Sequence, residues 1–160
     1  MVPAVNRARF LIASLAIGLV TGCGGGGSLA DLNSLPERSL RPGDAVFLSH
    51  NEHPAESTVD GPIPAITADV MGTNLDRADL FDWYDDALRA KGWAPDPNDL
   101  MNVRTTTEEA VEVWRRGDIV ARVAILVEND PRNPPSEGHA TLFELAFAAT
   151  EPRPAATMPG

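Results

Sequence analysis

Apolar and polar positions follow two different periods along this chain, and the changes of period predict its elements. From Asp76 to Lys91 the period is helical. At 100° per residue Leu80, Tyr84, Ala87 and Leu88 share one side, flanked by Phe81 and Trp83, while Asp79, Asp82, Asp85 and Asp86 take the opposite side. Thr73, Asn74 or Asp76 can cap the start of this helix. Gly92 supplies the left-handed residue that commonly ends one, and Trp93 is expected to fold back over the apolar side. Elsewhere the period is two. Ile66–Met71 and Met101–Thr105 read as strands, and Val111–Arg115 with Ile119–Val127 read as a hairpin around Arg116-Gly117-Asp118. After a proline-rich loop over Asn129–Gly138, Thr141–Ala148 alternates again, with Phe143, Leu145 and Phe147 on one face. Strand, helix, then several strands on short connections predicts an α+β fold: an antiparallel sheet with one main helix packed on a face, a two-layer sandwich spanning residues 65–150.

On either side of that region the pattern fades. Residues 23–64 begin with a glycine run, Gly24–Gly27, carry Pro36, Pro42, Pro54, Pro62 and Pro64, and offer only Ala45–Leu48 as a short strand. They read as a tether with extended loop. Residues 151–160 hold Pro152, Pro154 and Pro159 without periodicity and read as a disordered tail.

The first 22 residues have a different logic. Arg7 and Arg9 precede Phe10–Val20 (FLIASLAIGLV), eleven residues of apolar character. A membrane-crossing helix needs about 20, whereas a secretory leader needs a run of this length. Small residues follow, and then Cys23, the single cysteine in the chain. The segment Leu19-Val20-Thr21-Gly22-Cys23 resembles the bacterial lipobox, with an aliphatic residue three places before the cysteine. The resemblance implies that residues 1–22 are a lipoprotein signal peptide, that a diacylglycerol is joined covalently to the Cys23 sulfur, and that cleavage makes Cys23 the first mature residue. Two acyl chains anchor a protein stably, at about 0.8 kcal/mol per buried CH₂, where one does so only marginally. The expected location is therefore the cell membrane or outer membrane, facing periplasm or exterior. A lone cysteine also excludes an intramolecular disulfide.

Charge narrows the partners. Without Arg7 and Arg9 the chain carries 23 acidic and 11 basic residues, a formal charge of −12. Nucleic acid, which is bound through clustered Lys and Arg, is excluded as a partner. The expected partners are the membrane, through the lipid, and an envelope protein or ligand that the sequence does not specify.

Candidate chemistry is sparse. His50, Glu52, His53 and Glu56 lie within seven residues, and imidazole with carboxylate is a zinc-ligating set. Pro54 interrupts the group and no second motif completes it, so a polar surface loop is the simpler reading and no metal or other cofactor is assigned. The aspartates of the long helix suit a solvated face better than a calcium loop. Arg116-Gly117-Asp118 spells an adhesion tripeptide but is also ordinary turn chemistry. Trp83, Trp93 and Trp114 suit a core better than a ligand pocket. The sequence carries no phosphate loop, nucleophile elbow or His-Glu-x-x-His.

Leu80–Trp93, with its aromatic pair before a leucine and its closing Gly-Trp, followed by Trp114 before a hairpin, resembles a group of small uncharacterised bacterial envelope proteins. That resemblance implies a fold over residues 66–148 and no activity. The leading expectation is a lipid-anchored envelope protein of non-catalytic recognition or structural type. The alternative is a metal-dependent or hydrolytic envelope enzyme.

Overall fold

The computed structural model describes residues 27–59 and 61–150. The leader, Cys23 and the tail lie outside them. A short helix α1 (Leu29–Asn33) and a 3₁₀ turn (Pro36–Ser39) come first. The order is then β1 (Val46–His53), β2 (Glu56–Thr58), β3 (Gly61–Ile63), β4 (Ile66–Thr73), α2 (Arg77–Arg89) and β5 (Ala94–Pro95). A second 3₁₀ turn (Leu100–Asn102) precedes β6 (Glu108–Arg116), β7 (Ile119–Leu126) and β8 (Thr141–Ala149). Six strands form one antiparallel sheet in the order β1-β4-β8-β7-β6-β5, and β2 and β3 form a separate hairpin. The fold is α+β, as expected: mostly antiparallel sheet with one main helix.

The periodic pattern places the core. Leu80, Phe81, Tyr84 and Leu88 of α2 are buried with Met71, Trp114, Ala121, Val123, Ile125, Phe143, Leu145 and Phe147 from one sheet face. Tyr84 meets Phe143 edge-on at 5.9 Å, and Trp93 lies 5.8 Å from Phe147. Asp76 caps α2 by accepting from the Asp79 N–H, and the chain leaves through Gly92 at φ +83°, where a side chain would be strained. Asp82 and Asp86 are exposed, as the helical pattern requires. Asp85 is half-buried instead, because it accepts a 2.8 Å hydrogen bond from the Trp114 indole N–H beneath the helix.

Two expectations are corrected. Residues 29–64 are not an extended tether. Leu32 of α1 is completely buried in the main core, Ala65 and Ala149 join the same cluster, and the Tyr84 hydroxyl donates to the Leu40 carbonyl. Glu37 is buried and receives the Arg116 guanidinium at 2.8 Å. Burial alone would raise the Glu37 carboxyl, but the hydrogen bonds from Arg116 outweigh it and hold the group below its ordinary value. β1 is a full edge strand, longer than Ala45–Leu48. Its outward residues are mostly polar, which hides it from a hydrophobic pattern. The second correction is Met101–Thr105, which contains no strand. Asp99 accepts from the Met101 N–H and folds the chain into a 3₁₀ turn, whose Met101 carbonyl accepts from Arg122.

Strand direction defines two ends of the sheet. β8 begins at Thr141 opposite Thr73, where β4 stops and α2 starts, and it ends at Ala149 opposite Ile119. The β2–β3 hairpin joins β1 to β4 at this second end, since His53 pairs with Ile66 and Ile66 with Ala148.

Leu32→Ala is expected to cost about 2–5 kcal/mol in chemical unfolding, as for other buried leucines, and Asp86→Ala to stay within about 0.5 kcal/mol. A Leu32→Ala effect as small as that of Asp86→Ala would return residues 29–40 to the role of a tether.

Candidate functional site

Three polar assemblies stand out from the core. The first gathers part of the group singled out in the sequence. On β1, His50 and Glu52 point to the same side because two residues is the strand period. Pairing with β4 sets His50 opposite Asp69. The His50 Nδ1 lies 2.5 Å from Asp69 Oδ1 and its Nε2 lies 3.0 Å from Glu52 Oε1. Arg38, from the first 3₁₀ turn, donates to both oxygens of Asp69 and to the Asn33 side-chain carbonyl, and the Asn33 amide donates to Glu52 at 2.6 Å. The result is a closed ring, Asn33–Glu52–His50–Asp69–Arg38, stitching the N-terminal segment to the sheet.

With a carboxylate at each ring nitrogen, His50 satisfies both neighbours only as an imidazolium. Glu52 first, and Asp69 next, raise its pKa above the ordinary imidazole value, while His50 and Asn33 hold Glu52 below the ordinary carboxylate range. Tyr84, packed beneath, is pushed upward by burial and by the charge of Asp69. A cation is poorly served here. The two imidazole nitrogens face different carboxylates, and Arg38 already places positive charge on Asp69. The other two members of the sequence group do not join them. His53 bonds the Pro54 carbonyl through Nδ1, and Glu56 is exposed on β2. Among the described residues no group of three His, Cys, Asp or Glu side chains is arranged to hold a metal ion.

The second assembly lies on the opposite sheet face. Arg122, directed there from the middle of β7, is buried and reaches Glu108 at 2.7 Å and Glu144 at 3.6 Å. Burial raises the Glu144 carboxyl, with Arg122 opposing and Glu108 adding to the rise. Glu108 is held low because the Arg122 hydrogen bond overcomes its burial. Beside it, Arg115 binds Asp96 at 3.0 Å and also Asp99, pinning the 96–102 segment against the strand. These are structural ion pairs. The sequence showed them only as charged residues in apolar strands, without revealing their partners.

The third is a cleft of about 320 Å³ at the end of the sheet where α2 begins. Ile125, Leu126 and Leu142 provide apolar lining, and Arg77, Glu109, Glu128 and His139 provide charge or polarity. Its size falls at the lower edge of small-ligand sites. The His139 ring lies directly over Gly72, where even a Cβ would collide with it. Pairing of β8 with β4 brings the loop that carries His139 to Gly72, although the two are far apart in sequence.

The remaining candidates are absorbed by packing. The guanidinium of Arg116 is bound to Glu37 and sits 4.6 Å above the Trp93 ring, so it is not presented as part of an adhesion tripeptide. Trp93 and Trp114 are buried, and Trp83 meets Tyr84 edge-on at 4.8 Å. Asp85 is committed to Arg89 and Trp114.

Two outcomes follow from the first and second assemblies. Because the folded His50 pKa is raised, its contribution to the latch is fully present below the ordinary imidazole pKa of about 6.5 and is lost as pH rises through the raised value. NMR titration should therefore place His50 above the ordinary value, and Glu52→Gln should lower it. Amide protection factors over residues 29–40, taken relative to the base-catalysed intrinsic rate, should fall on the alkaline side. A His50 pKa unmoved by Glu52→Gln would dissolve the ring. Arg122→Ala leaves two carboxyl groups without their counter-charge and should destabilise by about 3–5 kcal/mol at neutral pH, less in acid where Glu108 and Glu144 take up protons. Equal losses at both pH values would contradict the pairing.

Compared with family models, with curated proteins and with solved structures, the chain matches none, so its function is read from its own residues.

Proposed function

We propose that the chain is a lipid-anchored cell-envelope protein whose domain serves recognition or structural support rather than catalysis. The single observation that carries the reading is the position of Cys23. The one cysteine stands directly after an eleven-residue apolar run and two small residues, in the lipobox pattern. The fold is compatible with it. α1 opens on the Ser28 cap, which both donates to and accepts from Asp31. No helix among the described residues is long and apolar enough to cross a membrane. In this reading α2 covers one face of the sheet as a two-layer sandwich, and the mature protein has the membrane and an envelope protein or ligand as partners.

Non-catalytic action is supported by how the ionisable groups are used. The imidazole with the most polar neighbours, His50, has both nitrogens engaged by carboxylates, which leaves no lone pair for proton abstraction. Buried Arg122 and half-buried Arg115 are committed to ion pairs on the second face.

Cys23→Ser removes the thiol that forms the thioether. In a bacterial host the variant should accumulate as the longer precursor or leave the membrane fraction, while the parent yields a shortened chain whose N-terminal peptide carries the diacylglycerol mass. A variant identical in size to the parent and still extracted only by detergent would refute the anchor.

A further inference from the structure

The structure supports a statement about how the anchored domain is oriented, which rests on the lipid-anchor reading above. Cys23 precedes Gly27 by four residues, and chain geometry limits four residues to a span of about 14 Å. Gly27 is itself fixed in the fold: a Cβ there would lie 3.0 Å from the Cβ of Ala149, the last residue of β8. The lipid must therefore enter the bilayer within a short distance of the end of the sheet where β8 finishes. The β2–β3 hairpin projects from that same end, because it bridges His53 of β1 and Ile66 of β4. It bears Val59, which is completely exposed with a relative accessibility of 102%, and Ile63, also exposed.

Other features sort along the same axis. α2 runs from the far end to the near one, so its C-terminal Lys91, the chain's single lysine, is exposed at the near end beside Arg116. At the far end Asp44, Asp76, Asp79, Glu109 and Glu128 are exposed and outnumber the exposed Arg77, Arg104 and Arg132, and Val46 and Phe47 are exposed there too, together with the cleft. The nine residues of β8 separate the two ends by about 30 Å at roughly 3.3 Å per residue.

We propose that the hairpin end faces the membrane and that Val59 and Ile63 touch the headgroup layer of the bilayer holding the Cys23 lipid, leaving the cleft end directed away from it. The occupant is a lipid surface, since a tether this short brings one there. An exposed apolar side chain gains by leaving water at such a surface. Exposed Glu56 on β2 keeps the contact shallow and disfavours anionic lipid.

The test uses the mature lipidated protein in phosphatidylcholine vesicles. Lipidation blocks the Cys23 sulfur, so Val59→Cys and Glu128→Cys each supply a single reactive thiol for an environment-sensitive fluorophore. Both positions are exposed and tolerate the change. A quencher carried on the lipid should reduce emission from position 59 several-fold more than from position 128, with a blue shift at 59 alone. Equal quenching at the two positions, or stronger quenching at 128, overturns the orientation. The mass of the N-terminal peptide is read on the same sample. A Cys23 without lipid overturns the anchor and the orientation together, whereas a lipidated protein with equal quenching overturns the orientation alone.

Discussion

A six-stranded sheet has two faces, and this chain has one long helix with which to cover them. Most of the structure follows from that shortage. β7 and β8 lie in the middle, and between Val120 and Leu126 every residue is buried, so both faces need cover. Side chains of the first face are buried in one cluster with residues of α2 and with Leu32 of α1. The second is kept from water by other means. Its residues are small where the sheet is most central, at Ala68, Ala124, Ala146 and Ala148, which limits the apolar area that must be covered. A coil of the chain, residues 96–102, is held there by Arg115 and Arg122. Buried charge is an expensive fastener, and it is tolerable because each guanidinium meets carboxylate or carbonyl oxygen.

The same shortage explains the N-terminal segment. α2 has 13 residues, about 20 Å of helix, and cannot also reach the β4–β1 side of its face. α1 and the first 3₁₀ turn fill that side, and both are too short to stand alone. They are fixed by one buried leucine, by the Glu37–Arg116 pair and by the ring around His50. Two of those three fastenings are ionic, and one is titratable near neutrality. The part of the fold adjoining the proposed lipid is thus held in part by a histidine whose pKa is raised above its ordinary value.

Legibility in the sequence followed the range of the interaction involved. α2, the β6–β7 hairpin and β8 were readable because their signals are local: a helical period with caps, Gly117-Asp118 between apolar strands, and strict alternation through Phe143, Leu145 and Phe147. α1 and β1 were not. A five-residue helix contains too few turns to show a period, and an edge strand with one mostly wet side lacks alternation. Met101–Thr105 misled because its apolar residues suggested a strand, while the deciding interaction was the Asp99 cap plus the distant Arg122. Of the site residues, His50 and Glu52 were found because they are close in sequence. Asp69, Arg38 and Asn33 were missed because pairing across 19, 12 and 19 residues brings them in.

Electrostatics sets how the two ends can differ in role. At physiological salt the field of a charged membrane decays over about 8 Å, so carboxylates some 30 Å away across the sheet lie more than three such lengths from the surface. In the proposed anchored form, the formal charge of −12 left without Arg7 and Arg9 therefore would not by itself repel the domain from the bilayer. What matters is the charge within the first screening length. Near the end of β8 this is a mixed set, with exposed Lys91 and Glu56 and with Arg116 neutralised by Glu37. The excess of acid at the opposite end acts on whatever approaches from solution. Placing the acidic groups there would allow a strongly acidic domain, anchored as proposed, to sit close to a membrane on a short link.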